Sequence, residues 1–121
     1  MTDLPADLPA DLSAEDRKLV TLARATRART GAAEGAAIRD ADGRTYAAAT
    51  VDLPSLQLSA VQVCLGMAFS SGVRGLEAAV LLTEAGEPTA ADLAALADLG
   101  GTGVVVHVGD ARGTVHTSLA T

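Results

Sequence analysis

Few side chains in this sequence could do chemistry. The reactive groups of its 121 residues are one thiol, Cys64, two imidazoles, His107 and His116, and fifteen carboxylates set against nine basic side chains. Cys64 sits in an apolar run and reads as a small core hydrophobe. His107 and His116 alternate with valine or threonine neighbours, as polar positions on a strand face do. Glu34 precedes Gly35, and Glu84 and Glu87 precede Pro88. One of the latter two could project toward a pocket at strand ends, where α/β domains bind ligands, but a lone carboxylate in a Gly/Pro-bearing loop reads as a solvated charge. No Gly-rich phosphate loop is present: Gly109-Asp110-Ala111-Arg112-Gly113 has no helix after it, so a hairpin turn is expected. A Ser/His/Asp set is defined by geometry and cannot be placed from composition.

The balance of the chain narrows the classes of partner. Net charge is −6 and only Lys18 among the basic residues is a lysine, so no positive stripe is available for phosphates. Nucleic acid and anionic membrane surfaces are therefore not expected partners. No segment approaches the roughly 20 apolar residues of a membrane span, and no basic region opens the chain as in a secretory signal. A single cysteine excludes an intramolecular disulfide. The expectation is a cytoplasmic domain. With 49% apolar residues but only two aromatic ones, its core must be built from small and branched aliphatics.

Residues 1–12 repeat Leu-Pro-Ala-Asp and read as a flexible acidic leader, with 13–121 as one domain. Ser13 is a good N-cap for a helix over about 14–30, with Glu15 and Asp16 at the positive end of its dipole. Beyond Gly31 the period turns extended: 35–38, an Asp42-Gly43 turn, then 45–51, closed by Pro54. Residues 58–71 form a second helix whose clearly polar members are Ser59, Gln62 and the terminal serines. A helix apolar all round must be covered all round. One sheet hides one side, so the other is expected to meet another subunit, with Gly66 and Ala68 allowing close approach. Val61, Val63, Leu65, Met67 and Phe69 are then in part interface residues. A strand over 76–83, a helix over 89–99 capped by Thr89, and strands over 104–108 and 114–120 complete the order α-β-β-α-β-α-β-β. This is an α/β domain with one mixed sheet.

That order, at this length, resembles the cytidine deaminase family, and local sequence supports the resemblance over residues 19–108. The family's Val-Gly-Ala-Ala stretch is matched by Glu34-Gly35-Ala36-Ala37, its Asp-Gly turn by Asp42-Gly43, and its tyrosine-bearing strand by Tyr46. Thr50-Val51-Asp52 stands for Asn-Val-Glu, and Ala68-Phe69-Ser70-Ser71-Gly72 for the end of the second helix. The resemblance implies a three-layer α/β/α domain with a mixed five-stranded sheet. It also implies a zinc site in which a His or Cys and two further Cys hold the metal and a glutamate moves protons to the base.

Carried onto this sequence, the ligand positions fall on Ser59, Thr89 and Asp92, and the glutamate position falls on Val61. Alcohols keep their protons at pH 7, so Ser59 and Thr89 are poor zinc ligands, and Val61 has nothing to protonate. Cys64 lies roughly 7 Å further along the helix than Ser59 and does not rescue the set. The substrate-contacting positions become Ala32, Thr50 and Asp52, which leaves weakened sugar contacts. The reading is a cytidine deaminase-like protein that is catalytically inactive, without a zinc site or other cofactor, self-associating as the homodimer or homotetramer that the resemblance implies, and binding a nucleoside-like molecule or another protein. The alternatives are an active, zinc-dependent deaminase converting cytidine or deoxycytidine to its uridine counterpart, and a purely structural interaction module.

Overall fold

The computed structural model describes residues 12–121. The leader expected over 1–12 lies, apart from Leu12, outside the described residues.

Helix α1 (Ala14–Thr30) begins where Ser13 Oγ accepts the Asp16 N–H and ends at Gly31, which donates its N–H to the Arg27 carbonyl and, with a left-handed φ of 67°, turns the chain out of the helix. Strands β1 (Gly35–Asp40) and β2 (Thr45–Ala49) form the expected hairpin. Buried Asp40 holds its turn by accepting the Asp42 and Arg44 N–H groups and the Tyr46 hydroxyl. Burial alone would raise the Asp40 pKa, but these donors outweigh it and lower it.

The strand expected to run to Val51 stops at Ala49. Val51–Leu53 (β3) turns away and pairs with Leu56–Leu58 (β4) in a separate small hairpin, so Leu58 belongs to a strand and not to the following helix. Helix α2 (Ala60–Ser70) then starts at Ser59, which exchanges capping hydrogen bonds with Gln62. Strand β5 (Leu76–Leu82), helix α3 (Ala90–Gly100), and strands β6 (Val105–Gly109) and β7 (Val115–Ala120) follow.

The main sheet has the order β2-β1-β5-β6-β7, antiparallel except for the β5/β6 pair. Alternation along the strands divides the core into two layers. Ala36, Ile38, Ala79, Leu81, Val106 and Val108 pack with α2 and α3 on one side. Ala37, Ala78, Val80 and Leu82 pack with Leu19 and Ala23 of α1 on the other. Three layers, α/β/α, result.

Alanine at the β1 positions brings α1 close to the sheet. Leu19, Ala23 and Ala37 are fully buried at this contact, so small aliphatics fill the layer in place of aromatic rings.

Part of the subunit-contact expectation for α2 is corrected by this packing. Val61 is 2% exposed and Leu65 8%, both inside the chain's own core, and Ala68 is fully buried. Helix α3 lies beside α2 on the same face of the sheet. Val63 is half-buried, whereas Met67 and Phe69 remain 39% and 55% exposed. The outward surface of α2 is thus narrower than its composition suggests.

Candidate functional site

The N-termini of α2 and α3 meet. Ser59 Oγ donates to Asp92 Oδ1 at 2.7 Å while accepting the Gln62 N–H at 3.0 Å. Thr89 Oγ1 accepts the Asp92 N–H at 3.0 Å. Each hydroxyl is therefore a helix cap, and the Asp92 carboxylate, 3% exposed, is bound to the neighbouring cap. Val61 lies one residue inside α2, buried in aliphatic core.

These groups do not fit a zinc ion. Zinc in proteins is held by thiolate, imidazole or carboxylate, each bound in its deprotonated form. Here two neutral alcohols stand beside one carboxylate, and the Ser59 proton is directed at that carboxylate. Among the described residues no three His, Cys, Asp or Glu side chains are grouped to hold a metal ion. Cys64 is fully buried, and burial pushes its thiol pKa up to about 12. The native protein is accordingly expected to resist a thiol-specific maleimide at pH 8 and to react fully once denatured. Mass spectrometry before and after unfolding checks this, and rapid native labelling would contradict it.

Beside Ser59 a cavity of about 370 Å³ opens between the start of β1 and the β3–β4 hairpin. Its polar lining is Glu34, Thr50, Asp52, Gln57 and Ser59. Val51 and Leu58 supply apolar surface. The expected ligand residues Thr50 and Asp52 are thus brought together. Ala32 is elsewhere, in the turn after α1, with its N–H on the Arg27 carbonyl.

Thr50 has little left to offer a sugar. Its hydroxyl accepts the Glu34 N–H at 3.0 Å and faces the Glu34 carbonyl at 3.3 Å, tying the two strand ends together. Asp52 and Gln57 face each other across the hairpin and are exposed. Glu34, weighed only as a solvated charge in sequence, enters the cavity wall and accepts the Thr83 hydroxyl at 2.6 Å. Glu84 instead holds the Ala111 N–H of the β6–β7 turn, and Glu87 is exposed in its loop.

A Ser/His/Asp set does occur, on the opposite face of the sheet. His107 Nδ1 lies 2.6 Å from Ser118 Oγ, and Nε2 lies 2.8 Å from Asp16 Oδ2. Asp16 Oδ1 also accepts from Arg39 at 2.9 Å, and Arg39 Nε donates to Glu77 at 2.7 Å. His107 is 6% exposed beneath α1. The array binds the start of that helix to β1, β5, β6 and β7, which is a structural task. His116, by contrast, is exposed on β7.

The cytidine deaminase-like family profile matches residues 12–113. This chain belongs to the cytidine deaminase-like family. Among solved structures, cytidine deaminase from Burkholderia pseudomallei superposes with a TM-score of 0.74 at 22% identity, covering 91% of this chain and 92% of that one. The Mycobacterium leprae enzyme gives 0.68 at 21% identity, over 87% and 94%. Cytidine deaminase from Mycobacterium tuberculosis gives 0.67 at 24% identity, over 78% and 85%. No curated protein matches the chain significantly. The shared architecture agrees with the three-layer fold expected from the sequence, while identities this low speak for fold alone. In this chain the converging caps of α2 and α3 carry Ser59, Thr89 and Asp92. No helix among the described residues is long and apolar enough to cross a membrane.

Proposed function

We propose that this cytidine deaminase-like protein does not deaminate cytidine and acts as a self-associating module that binds a nucleoside-like small molecule. The observation that carries the reading is the 2.7 Å hydrogen bond from Ser59 to Asp92 between two helix caps. It spends the one carboxylate of the set on a neutral alcohol, and Val61 offers no group to move a proton between water and base. Binding without turnover needs only a cavity with polar walls, and the one beside Ser59 is of ligand size.

Protein expressed untagged in zinc-supplemented medium should carry far less than one zinc per chain by elemental analysis and should form no uridine from cytidine. One zinc per chain together with steady uridine formation would overturn the reading in favour of an active deaminase.

Self-association would use what α2 and α3 leave outside. A groove of about 270 Å³ lined by Leu65, Gly66, Phe69, Ala95, Asp98 and Leu99 lies between the two helices. At its edge the Arg74 guanidinium stacks 4.2 Å from the Phe69 ring. Sedimentation velocity at tens of micromolar is expected to show a dimer or tetramer, reduced to monomer by Phe69→Glu; a monomeric parent protein would dismiss the claim. A single buried thiol suits a reducing cytoplasm, which is where we place the protein.

A further inference from the structure

We infer that the cavity beside Ser59 selects ligands bearing an amine, in the class of amino sugars and amino nucleosides, over neutral nucleosides and over phosphorylated ones. This rests on the ligand-binding reading above and adds the chemical class. The argument is a count of donors and acceptors left over once internal hydrogen bonds are subtracted. The Ser59 hydroxyl gives its proton to Asp92 and accepts from Gln62, and the Thr50 hydroxyl is engaged with the Glu34 backbone on both sides. Glu34 uses Oε2 on Thr83. What remains for a ligand is Glu34 Oε1, both oxygens of Asp52 and the Gln57 amide. These are acceptors almost throughout, with the Gln57 NH₂ as the one side-chain donor.

Charge points the same way. Among the described residues the lining has two carboxylates and no Lys, Arg or His. A phosphate entering it would meet like charge with one neutral side-chain donor to compensate, whereas an ammonium supplies three donors to a donor-poor wall. The lining also has no aromatic ring on which a pyrimidine could stack, so a neutral base gains little beyond contact with Val51 and Leu58.

The test is isothermal titration of the full chain at low salt with four probes: glucosamine, N-acetylglucosamine, glucosamine 6-phosphate and cytidine. Glucosamine is expected to bind at least about tenfold tighter than each of the others, a preference that falls with added salt. D52N and E34Q should each cut that preference while leaving the fold unchanged by circular dichroism; the amide oxygen at position 34 can still accept from Thr83. Equal binding of the amine and its acetylated form, or stronger binding of cytidine, would overturn the amine preference and leave the ligand-binding reading standing. Absence of heat with every probe would overturn both.

Discussion

Replacing Gly35 with alanine is expected to destabilise the protein by about 3 kcal/mol, the upper part of the range for forcing atoms into a packed core. A Cβ on Gly35 would fall onto the Ala23 carbonyl oxygen of α1 and within 2.7 Å of Arg27 Cβ. The backbone at Gly35 needs no unusual dihedral, so the cost is a collision between β1 and the helix that crosses it. Helix α1 cannot easily step back, because Asp16 is tied to Arg39 and His107 of the sheet. Urea unfolding should show a lower midpoint with an unchanged slope, as expected when the native state alone is strained. Gly66 provides the contrast. It is exposed inside α2 with open space where a Cβ would go, and Gly66→Ala should stabilise by about 0.5–1 kcal/mol. Equal effects at the two glycines would refute the collision argument.

Asp16→Ala is expected to cost a similar amount, about 3 kcal/mol and roughly 10 °C in Tm, by a different route. The Asp16, Arg39 and His107 side chains are 14%, 13% and 8% exposed, and Asp16 bridges the other two. Without the carboxylate, Arg39 keeps only Glu77, and its Nη1 is already buried without a partner. Removing one member of a largely desolvated ion cluster costs more than the pair was worth, because the remaining charge stays buried.

The same carboxylate gives the stability a pH dependence. Burial raises the Asp16 pKa, while hydrogen bonds and charge from His107 and Arg39 lower it by more, so the folded value lies below 3.8. A carboxyl with a depressed folded pKa contributes stability in full above its unfolded value and loses it as pH falls through the folded one. The loss therefore begins near pH 4 and deepens below it. Asp40 and Asp110 are depressed as well and add to the acid limb, so the Asp16 share is read by difference. Asp16→Asn should flatten the decline of Tm between pH 5 and 3 relative to the parent protein. An unchanged slope would show that Asp16 does not contribute.

Local signals in the sequence located most of the frame. Ser13 and Gly31 bound α1 at the expected residues because caps are short-range chemistry, and Asp42-Gly43 places its turn for the same reason. The β3–β4 hairpin was hidden. Val51 extends the pattern of β2, Pro54 reads as a terminator and Leu58 fits the apolar helix, so two short strands dissolve into their neighbours. Helix α2 is apolar on nearly every side, and its sequence therefore could not say that Val61 and Leu65 are buried in the chain's own core rather than against a second subunit. At the site, the family resemblance brought Ser59, Thr89 and Asp92 together, but the direct Ser59–Asp92 bond depends on geometry. Glu34 entered the cavity through a β1–β2 edge closed by Thr50, a contact no spacing rule encodes. Asp16 and His107 are separated by 91 residues, beyond the reach of any periodicity.

That separation also bears on how the protein is made. Synthesis runs from α1 toward β6, so Asp16 is made 91 residues ahead of the imidazole that it will bind. During that interval Leu19 and Ala23 have β1 and β2 to lie against but neither β5 nor β6, and a partial sheet leaves an unpaired strand edge. The Asp16–His107 contact closes only once β6 has arrived, which makes this part of the fold a late, long-range event.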